Sequence, residues 1–233
     1  MSAAAAGAAG EAAVVAVVPA HDEAARVAAT VTALRSIPGV AEVVVVDDGS
    51  TDATGVEAER AGARVVRLER RRGKGGALDA GLDATQESIV LLADADLGAS
   101  AANLHVLVAA VRAGTADVAV ATPPRQGGAS GFGLVEGLAR QGIARLTGRT
   151  LDRPLSGQRA LRREVLPAIR PLASGFGVET GFTVDALRAG YRVTEVPCEI
   201  SHARTGRDPA GFVHRARQGR DVIRALASRR RSR

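Results

Sequence analysis

In the stretch SIVLLADAD, residues 88–96, an apolar run ends directly in two carboxylates separated by a single alanine. Such a run is typical of a buried strand, and Asp94 and Asp96 then lie where the strand emerges into a loop. Carboxylate oxygens are hard ligands that suit Mg²⁺ and Mn²⁺. Acidic residues at strand ends are also often only solvated, so the stretch by itself predicts a strand and indicates a metal site more weakly.

Three further apolar runs precede this stretch, and each one ends in a polar segment. After the first run, Val27, Val31 and Leu34 fall on one helical face. After the second run, Ser50 is predicted to cap a helix that Gly62 ends. This alternation predicts an α/β fold with a mostly parallel central sheet flanked by helices. The runs and their polar ends are VVAVV at 14–18 before PAHDE at 19–23, EVVVV at 42–46 before DDGSTD at 47–52, and RVVRL at 64–68 before RRRGKGG at 70–76.

These polar segments are expected to share one edge of the sheet. Ligands of open parallel sheets bind outside the carboxyl ends of the strands, so four polar segments after four strands describe one crevice. Lys74 precedes two glycines, and such a loop brings backbone and positive charge close to a diphosphate. For the arginines at 70–72, a solvated basic loop is an equally good interpretation.

The four segments, in this order, resemble the motifs of family 2 glycosyltransferases of the GT-A fold, in particular the dolichol-phosphate mannosyltransferase-like branch. DRPLSGQR at 152–159 resembles the acceptor-side segment of that branch, which usually has an aromatic residue where Gln158 stands. The resemblance covers roughly residues 14–210 and implies a single GT-A (Rossmann-like) domain that uses a UDP- or GDP-hexose. The motifs are PAHDE at 19–23, DDGSTD at 47–52, KGGA at 74–77 and DADL at 94–97.

The resemblance implies that residues of every segment bind the nucleotide-sugar donor. Asp47 would accept hydrogen bonds from the base or the ribose, and Asp48 would line the same cleft with Asp22 or Glu23. A turn with a helix cap is the alternative interpretation of residues 48–50. The full set expected to bind the nucleotide-sugar is Pro19, Ala20, Asp22, Glu23, Asp47, Asp48, Gly49, Lys74, Asp94, Ala95, Ser156, Gly157, Arg159, Arg204 and Arg207.

A Mg²⁺ or Mn²⁺ ion would neutralise the departing diphosphate as a Lewis acid. The resemblance places Asp96 on the cation, whereas Asp94 would meet the ribose or a metal-bound water. His202 is the candidate third ligand, and a histidine ligand would predict a preference for Mn²⁺. A capping or surface role is the alternative interpretation of His202.

The acceptor side is expected to lie in the second half of the chain. Glu179, with Asp185 further along the same predicted helix, is the candidate base for an inverting transfer to a hydroxyl, and both join Asp96 as expected catalytic residues. The glycines in GFG at 175–177 indicate a loop that lets a substrate approach. A phosphate acceptor is already largely anionic and needs arginines instead of a base. Ten arginines follow Ser201, so a polyprenyl phosphate is the expected acceptor.

Three alternatives remain open from the sequence. A transferase similar to glucosyl-3-phosphoglycerate synthases would act with retention on a small phosphorylated acid, and the configuration of the product separates it from an inverting enzyme. A nucleotidyltransferase would normally need a basic glycine-rich loop after the first strand, where this chain has the acidic PAHDE at 19–23. A nucleotide-sugar-binding protein without turnover is the third alternative.

Composition narrows the class of protein without identifying a substrate. The chain has 233 residues, a formal net charge of +6 and 2% aromatic residues, so it lacks the aromatic platforms on which proteins stack single-stranded nucleic acid. The single cysteine, Cys198, fits a reducing cytoplasm. No apolar run approaches the roughly 18 to 20 residues of a membrane span, so a cytoplasmic or peripheral protein is expected.

The domain organisation is predicted as a disordered leader at 1–12, the glycosyltransferase domain at 13–228 and a disordered basic tail at 229–233. Within the domain, 13–98 would bind the nucleotide-sugar and 99–228 the acceptor. The segment 123–131 is a candidate mobile lid.

The C-terminal helix is predicted to be amphipathic and basic. The helix would either lie on an anionic membrane surface or pack on the domain with its basic rim in solvent. The two interpretations are equally good. The basic face is Arg217, Arg220 and Arg224, and the apolar face is Phe212, Ala216, Ile223 and Leu226.

Overall fold

The computed structural model describes residues 12–123, 133–201 and 209–230, with only the backbone described for 209–216. The strands of these residues are β1 Val14–Ala20, β2 Val40–Asp47, β3 Arg64–Arg67, β4 Ile89–Leu92, β5 Val118–Thr122, β6 Arg159–Arg162 and β7 Val193–Pro197. They form one sheet in the order β3-β2-β1-β4-β6-β5-β7, in which β6 runs antiparallel to both of its neighbours and the other pairs are parallel.

Helices cover both faces of the sheet, so the predicted α/β architecture with a mostly parallel sheet is confirmed. The α-helices of the described residues are α1 Val27–Arg35, α2 Thr54–Arg60, α3 Gly73–Asp83, α4 His105–Arg112, α5 Gly133–Thr147, α6 Leu166–Ile169, α7 Val178–Arg188 and α8 Pro209–Arg230. Short 3₁₀ helices span Gly98–Leu104, Arg163–Val165 and Gly175–Gly177.

The central strands β1, β4 and β5 are buried on both faces, which is why their sequences are continuous apolar runs, whereas the edge strands β3 and β7 are only partly buried. Alternate residues of β1 enter different core layers: Val18 packs with Leu34 of α1, whereas Val17 packs with Leu78 of α3 and Phe182 of α7. Helix α3 approaches the sheet closely at Gly81, where a Cβ would lie 2.5 Å from Cγ1 of Val17. The apolar runs therefore supply two core layers from one set of strands.

The register of the central strands brings their carboxyl ends to one edge. Ala20 at the end of β1 lies opposite Asp47 at the end of β2, and Val17 lies opposite Leu92 at the end of β4. The amide of Asp48 donates to the carbonyl of Ala20 at 2.8 Å, so the first two polar segments start side by side. The predicted crevice has its edge here.

The local prediction at the second helix is partly wrong. Helix α2 begins at Thr54 with Ala53 as its N-cap, and Ser50 does not cap it. The Ser50 hydroxyl instead accepts a hydrogen bond from the amide of Asp22 at 3.1 Å, because the loops after β1 and β2 lie together. The predicted end is confirmed, since Gly62 follows the helix with a φ of +90°, which favours glycine.

Helix α8 packs on α5 and α7 through Val222 and Leu226, which are 0% and 8% exposed. Its predicted apolar face is therefore wrong at Ile223, which is 54% exposed. Residues 217, 220 and 224 form the exposed basic rim that was predicted. The side chains of Phe212 and Ala216 lie outside the described residues.

The predicted termini and lid fall largely outside the described residues, which exclude 1–11, 124–132 and 231–233. Helix α8 extends to Arg230, so the helix takes in the first two residues of the predicted tail at 229–233. In the part of the chain that the structure describes, no helix is both long enough and apolar enough to cross a membrane.

Candidate active site

The centre of the crevice is an ammonium group held between two carboxylates from distant parts of the chain. Nζ of Lys74, in the first turn of α3, lies 2.7 Å from Oδ1 of Asp94 and 2.7 Å from Oε1 of Glu179. Asp94 follows β4, and Glu179 lies in the first turn of α7. Lys74 thus joins the predicted donor side to the predicted acceptor side.

The two carboxylates keep Lys74 cationic. Burial opposes the charged form of the ammonium, but the charges of Asp94 and Glu179 and their hydrogen bonds outweigh it and raise the pKa of Lys74 above its ordinary value. The Lys74 side chain is 28% exposed, so its charge lies at the crevice wall. A fixed positive charge in this position can attract an anionic ligand.

Gln158 and Gly157 complete the surroundings of Asp94. The Gln158 amide, 1% exposed, donates from Nε2 to Oδ2 of Asp94 at 2.6 Å, so both oxygens of Asp94 accept hydrogen bonds. A Cβ on Gly157 would lie 2.5 Å from Nζ of Lys74, so a larger residue at 157 would shift the ammonium. Sequence reasoning noted Gln158 as a departure from the resembling branch but gave it no role.

Arg159 lies beneath this cluster and not in the crevice, which corrects its expected contact with the nucleotide-sugar. Its side chain is 1% exposed and donates to the backbone carbonyl of Glu179 at 3.1 Å and to Oγ1 of Thr183 at 3.0 Å. The guanidinium lies 4.7 Å from the centroid of the Phe182 ring. Burial lowers the pKa of Arg159 to about 10, against the opposing charges of Glu179 and Glu195. Arg159 supports the first turns of α7.

The acidic loop after β1 is locked to the loop after β2. Asp22 has a φ of 55°, and its carboxylate accepts from the amide of Thr51 at 2.8 Å. That backbone hydrogen bond is the main reason that the pKa of Asp22 is lowered. The amide of Glu23 donates to Oγ1 of Thr54 at 2.8 Å. Pro19 and Ala20 end β1 directly before this loop.

Asp47 and Asp48 organise the neighbouring loops. Asp48 is 4% exposed and accepts from the amides of Arg72 and Gly73 at 2.6 and 2.8 Å, which fixes the entry into α3 and hence Lys74. Asp47, 9% exposed, accepts from the amide of Ser50 at 2.9 Å. The turn interpretation of this segment thus accounts for its observed contacts, although Ser50 does not cap α2. The carboxylate of Asp48 is directed to backbone groups.

Asp96 lies beside the loop after β1. Burial raises the pKa of Glu23, and the charge of Arg26 opposes this effect. The negative charge of Asp96 raises the pKa of Glu23 further, so the two carboxylates are close enough to interact. In the described residues, no three His, Cys, Asp or Glu side chains gather into a metal-holding group. Mg²⁺ needs only one or two protein carboxylates when phosphate oxygens and waters supply its other ligands. Asp96, with Glu23 nearby, therefore fits a cation that binds together with a diphosphate.

Asp185, one of the expected catalytic residues, is not brought into this cluster. The carboxylate of Asp185 accepts from Nε of Arg229 at 2.8 Å, so it faces α8 and not Glu179. His202, Arg204 and Arg207 lie outside the described residues.

The glycines before α7 leave room for α8, and their expected role in admitting a substrate stays a prediction. A Cβ on Gly175 would lie 2.2 Å from Oδ2 of Asp221, and one on Gly177 would lie 2.7 Å from the Asp221 carbonyl. Asp221 also accepts from the amide of Phe176 at 3.3 Å. No sequence pattern predicts this role of Asp221, because α8 lies far along the chain.

An open α/β sheet of this topology, with acidic and basic side chains gathered at its carboxyl edge, is the architecture of the GT-A fold. The chain belongs to the family described as glycosyl transferase family 2, whose sequence profile matches residues 15–169. The predictions of the family and the fold are therefore confirmed. The dolichol-phosphate mannosyltransferase-like branch stays a prediction.

Relatives of known name are similar over most of this chain. The glucosyl-3-phosphoglycerate synthase of Mycolicibacterium paratuberculosis is 35% identical over 196 residues, which cover 72% of this chain and 58% of that protein. Glycosyltransferase AglD of Haloferax volcanii is 35% identical over 206 residues, which cover 78% of this chain and 32% of that protein. The chain thus spans less than two thirds of the length of these relatives.

Two solved structures of glucosyl-3-phosphoglycerate synthase from Mycobacterium tuberculosis share the fold. The complex with Mg²⁺ and UDP has a TM-score of 0.79 and 29% identity, covering 94% of this chain and 79% of that one. The complex with Mn²⁺, UDP and phosphoglyceric acid has a TM-score of 0.79 and 31% identity, covering 94% and 78%. Those homologous proteins bind Mg²⁺ or Mn²⁺ together with UDP.

Proposed function

We propose that this chain transfers a hexose from a UDP-sugar to an acceptor that carries a phosphate. The observation that carries the proposal is the Lys74 ammonium held between Asp94 and Glu179 at the carboxyl edge of the sheet. Nucleotide ligands of open α/β sheets bind at this edge. One cationic group that touches both halves of the crevice can serve a reaction between an anionic donor and an anionic acceptor.

On the donor side, Asp96 would hold a Mg²⁺ or Mn²⁺ ion against the diphosphate. When bound, the cation would neutralise negative charge on the leaving UDP. Lys74 would contact a diphosphate oxygen, and Asp94, held by Gln158, would contact the ribose or a metal-bound water. UDP is favoured over GDP because homologous structures that match 94% of this chain contain UDP with Mg²⁺ or Mn²⁺.

On the acceptor side, Glu179 would accept a hydrogen bond from the attacking acceptor group. The bond between the anomeric carbon and the diphosphate would break with both electrons leaving on UDP, a bond to the acceptor oxygen would form, and the proton of an acceptor hydroxyl would pass to Glu179. A small phosphorylated acid is the favoured acceptor, since phosphoglyceric acid is bound in a homologous structure. We expect retention of configuration with such an acceptor.

A polyprenyl phosphate at a membrane surface is the second candidate acceptor. Transfer of the hexose to it would invert the anomeric configuration. The observation that favours it is a groove of about 600 Å³ between α5 and α8. Its lining combines apolar groups with three arginines, which suits an anionic lipid. The lining residues are Leu138, Gly142, Arg145, Leu146, Arg188, Ile223, Leu226, Ala227 and Arg230.

The test measures release of nucleoside diphosphate from a panel of UDP- and GDP-sugars, with Mg²⁺ or Mn²⁺ and either acceptor class. Asp96→Asn is expected to lose most of the rate, while Glu57→Gln, which removes an acid of α2 that pairs with Arg60, should keep it. Equal rates in Asp96→Asn and the wild type would contradict the metal role. The anomeric configuration of the product, read by NMR, separates the two acceptor candidates.

A further inference from the structure

Thr30 is a fully buried polar residue of α1 whose hydroxyl reaches the loop that carries Asp96. Its Oγ1 donates to the carbonyl of Ala95 at 2.8 Å and accepts from the amide of Gly98 at 2.8 Å. The residue is 0% exposed. One side chain thus holds the backbone on both sides of Asp96.

This use of the hydroxyl differs from that of an ordinary helical threonine. Such a hydroxyl commonly bonds to the carbonyl four residues earlier in the same helix. Thr32, on the same helix but exposed, does this at 2.9 Å to Ala28. Thr30 lies 3.4 Å from the corresponding carbonyl of Arg26 and makes its shorter bonds to the loop. The hydroxyl has one proton to donate, and it serves Ala95.

The loop has little other freedom once Thr30 holds it. Ala95 and Leu97 are 4% and 2% exposed, so the residues on either side of Asp96 are sunk into the core. Gly98 has a φ of 55°, which turns the chain into the following 3₁₀ helix. The backbone of Asp96 is therefore fixed from α1, the helix that also follows the acidic loop at Glu23.

We propose that Thr30 is a positioning residue for the cation, because it sets the direction in which Asp96 presents its carboxylate. The inference rests on the proposed function, in which Asp96 is the metal ligand. Groups that orient metal ligands through hydrogen bonds typically change metal affinity by about 10- to 100-fold when removed. Thr30 would act through Asp96 without touching substrate or metal.

The test compares Thr30→Val, which is nearly isosteric and lacks the hydroxyl, with Thr30→Ser, which keeps it. Thr32→Val is the matched control on the same helix. The probe is Mn²⁺ titrated in the presence of UDP, with binding followed by electron paramagnetic resonance and folding followed by circular dichroism. Thr30→Val is expected to weaken Mn²⁺ binding about tenfold, while Thr30→Ser and Thr32→Val stay near wild type. Exchange of the Gly98 amide with solvent should accelerate in Thr30→Val alone.

Two results would overturn the inference. One is wild-type Mn²⁺ affinity in a folded Thr30→Val protein, and the other is equal loss in Thr30→Ser and Thr30→Val. If Thr30→Val does not fold, Thr30→Ala takes its place, and failure of both to fold would also count against a specific role in metal positioning. Asp96→Asn separates the two proposals, because wild-type Mn²⁺ binding in that variant refutes the metal role itself, whatever Thr30 does.

Discussion

Replacing Lys74 by methionine should destabilise the fold by an amount that the geometry sets. The change keeps the length of the side chain and removes the ammonium that separates Asp94 from Glu179. Both carboxylate oxygens lie 2.7 Å from Nζ, so they are at most about 5.4 Å apart. Without the cation between them, the two negative charges repel each other directly.

Coulomb's law gives the size of that repulsion. Two unit charges about 5.4 Å apart at an effective dielectric constant of about 20 interact by about 3 kcal/mol. Glu179 and Asp94 are 9% and 27% exposed at their side chains, so solvent screens the pair only in part. Removing one partner of a buried ion pair typically costs about 3–5 kcal/mol. We therefore expect Lys74→Met to lower the free energy of unfolding by about 3 kcal/mol at pH 7.

The measurement is urea unfolding followed by circular dichroism at low ionic strength. Lys74→Met combined with Glu179→Gln should recover much of the loss, because one of the two charges is then absent. Arg60→Met is the control, since it breaks an exposed ion pair with Glu57 and should change stability by less than about 0.5 kcal/mol. The reasoning fails if the free energy of unfolding of Lys74→Met lies within about 0.5 kcal/mol of the wild-type value. It also fails if adding Glu179→Gln recovers no stability, because the ammonium of Lys74 then does not separate two repelling carboxylates.

Three further outcomes follow from the same geometry. Gly157→Ala should keep the fold but lower UDP release about tenfold or more, because its Cβ would displace the ammonium of Lys74; an unchanged rate would count against the bridge. Asp185→Asn should lower the free energy of unfolding by about 1–3 kcal/mol through its lost pair with Arg229, with kcat unchanged; a large loss of kcat would restore a catalytic role. The raised pKa of Lys74 means that its stabilisation is complete below the ordinary value of 10.5 and is lost as pH rises beyond it. Urea unfolding at rising pH should show this loss in the wild type and not in Lys74→Met.

The sequence predicted the elements whose signals are local. Each apolar run that ends in a polar segment became a strand of the sheet. In the central strands, burial on both faces demands uninterrupted apolar residues, whereas β3, with exposed arginines at both ends, lies at the sheet edge. The shared edge also followed from the sequence, because parallel strands that alternate with helices place their carboxyl ends together. The sequence also predicts Asp94, Lys74 and Glu179, each separately, as residues of the site. Their ion pairs could not be predicted, since no spacing in the chain encodes the approach of α3 to α7.

Glycine shows where sequence reasoning reaches its limit. Gly177 was interpreted as backbone freedom for an approaching substrate, yet it leaves room for the backbone of Asp221 on α8. Gly157 likewise leaves room for the ammonium of Lys74. In both cases the missing Cβ matters and the flexible backbone does not, and the neighbour that needs the space comes from another part of the chain. A conserved fold can therefore place glycine beside its charged cluster for packing alone, and only the three-dimensional structure distinguishes that use from a hinge.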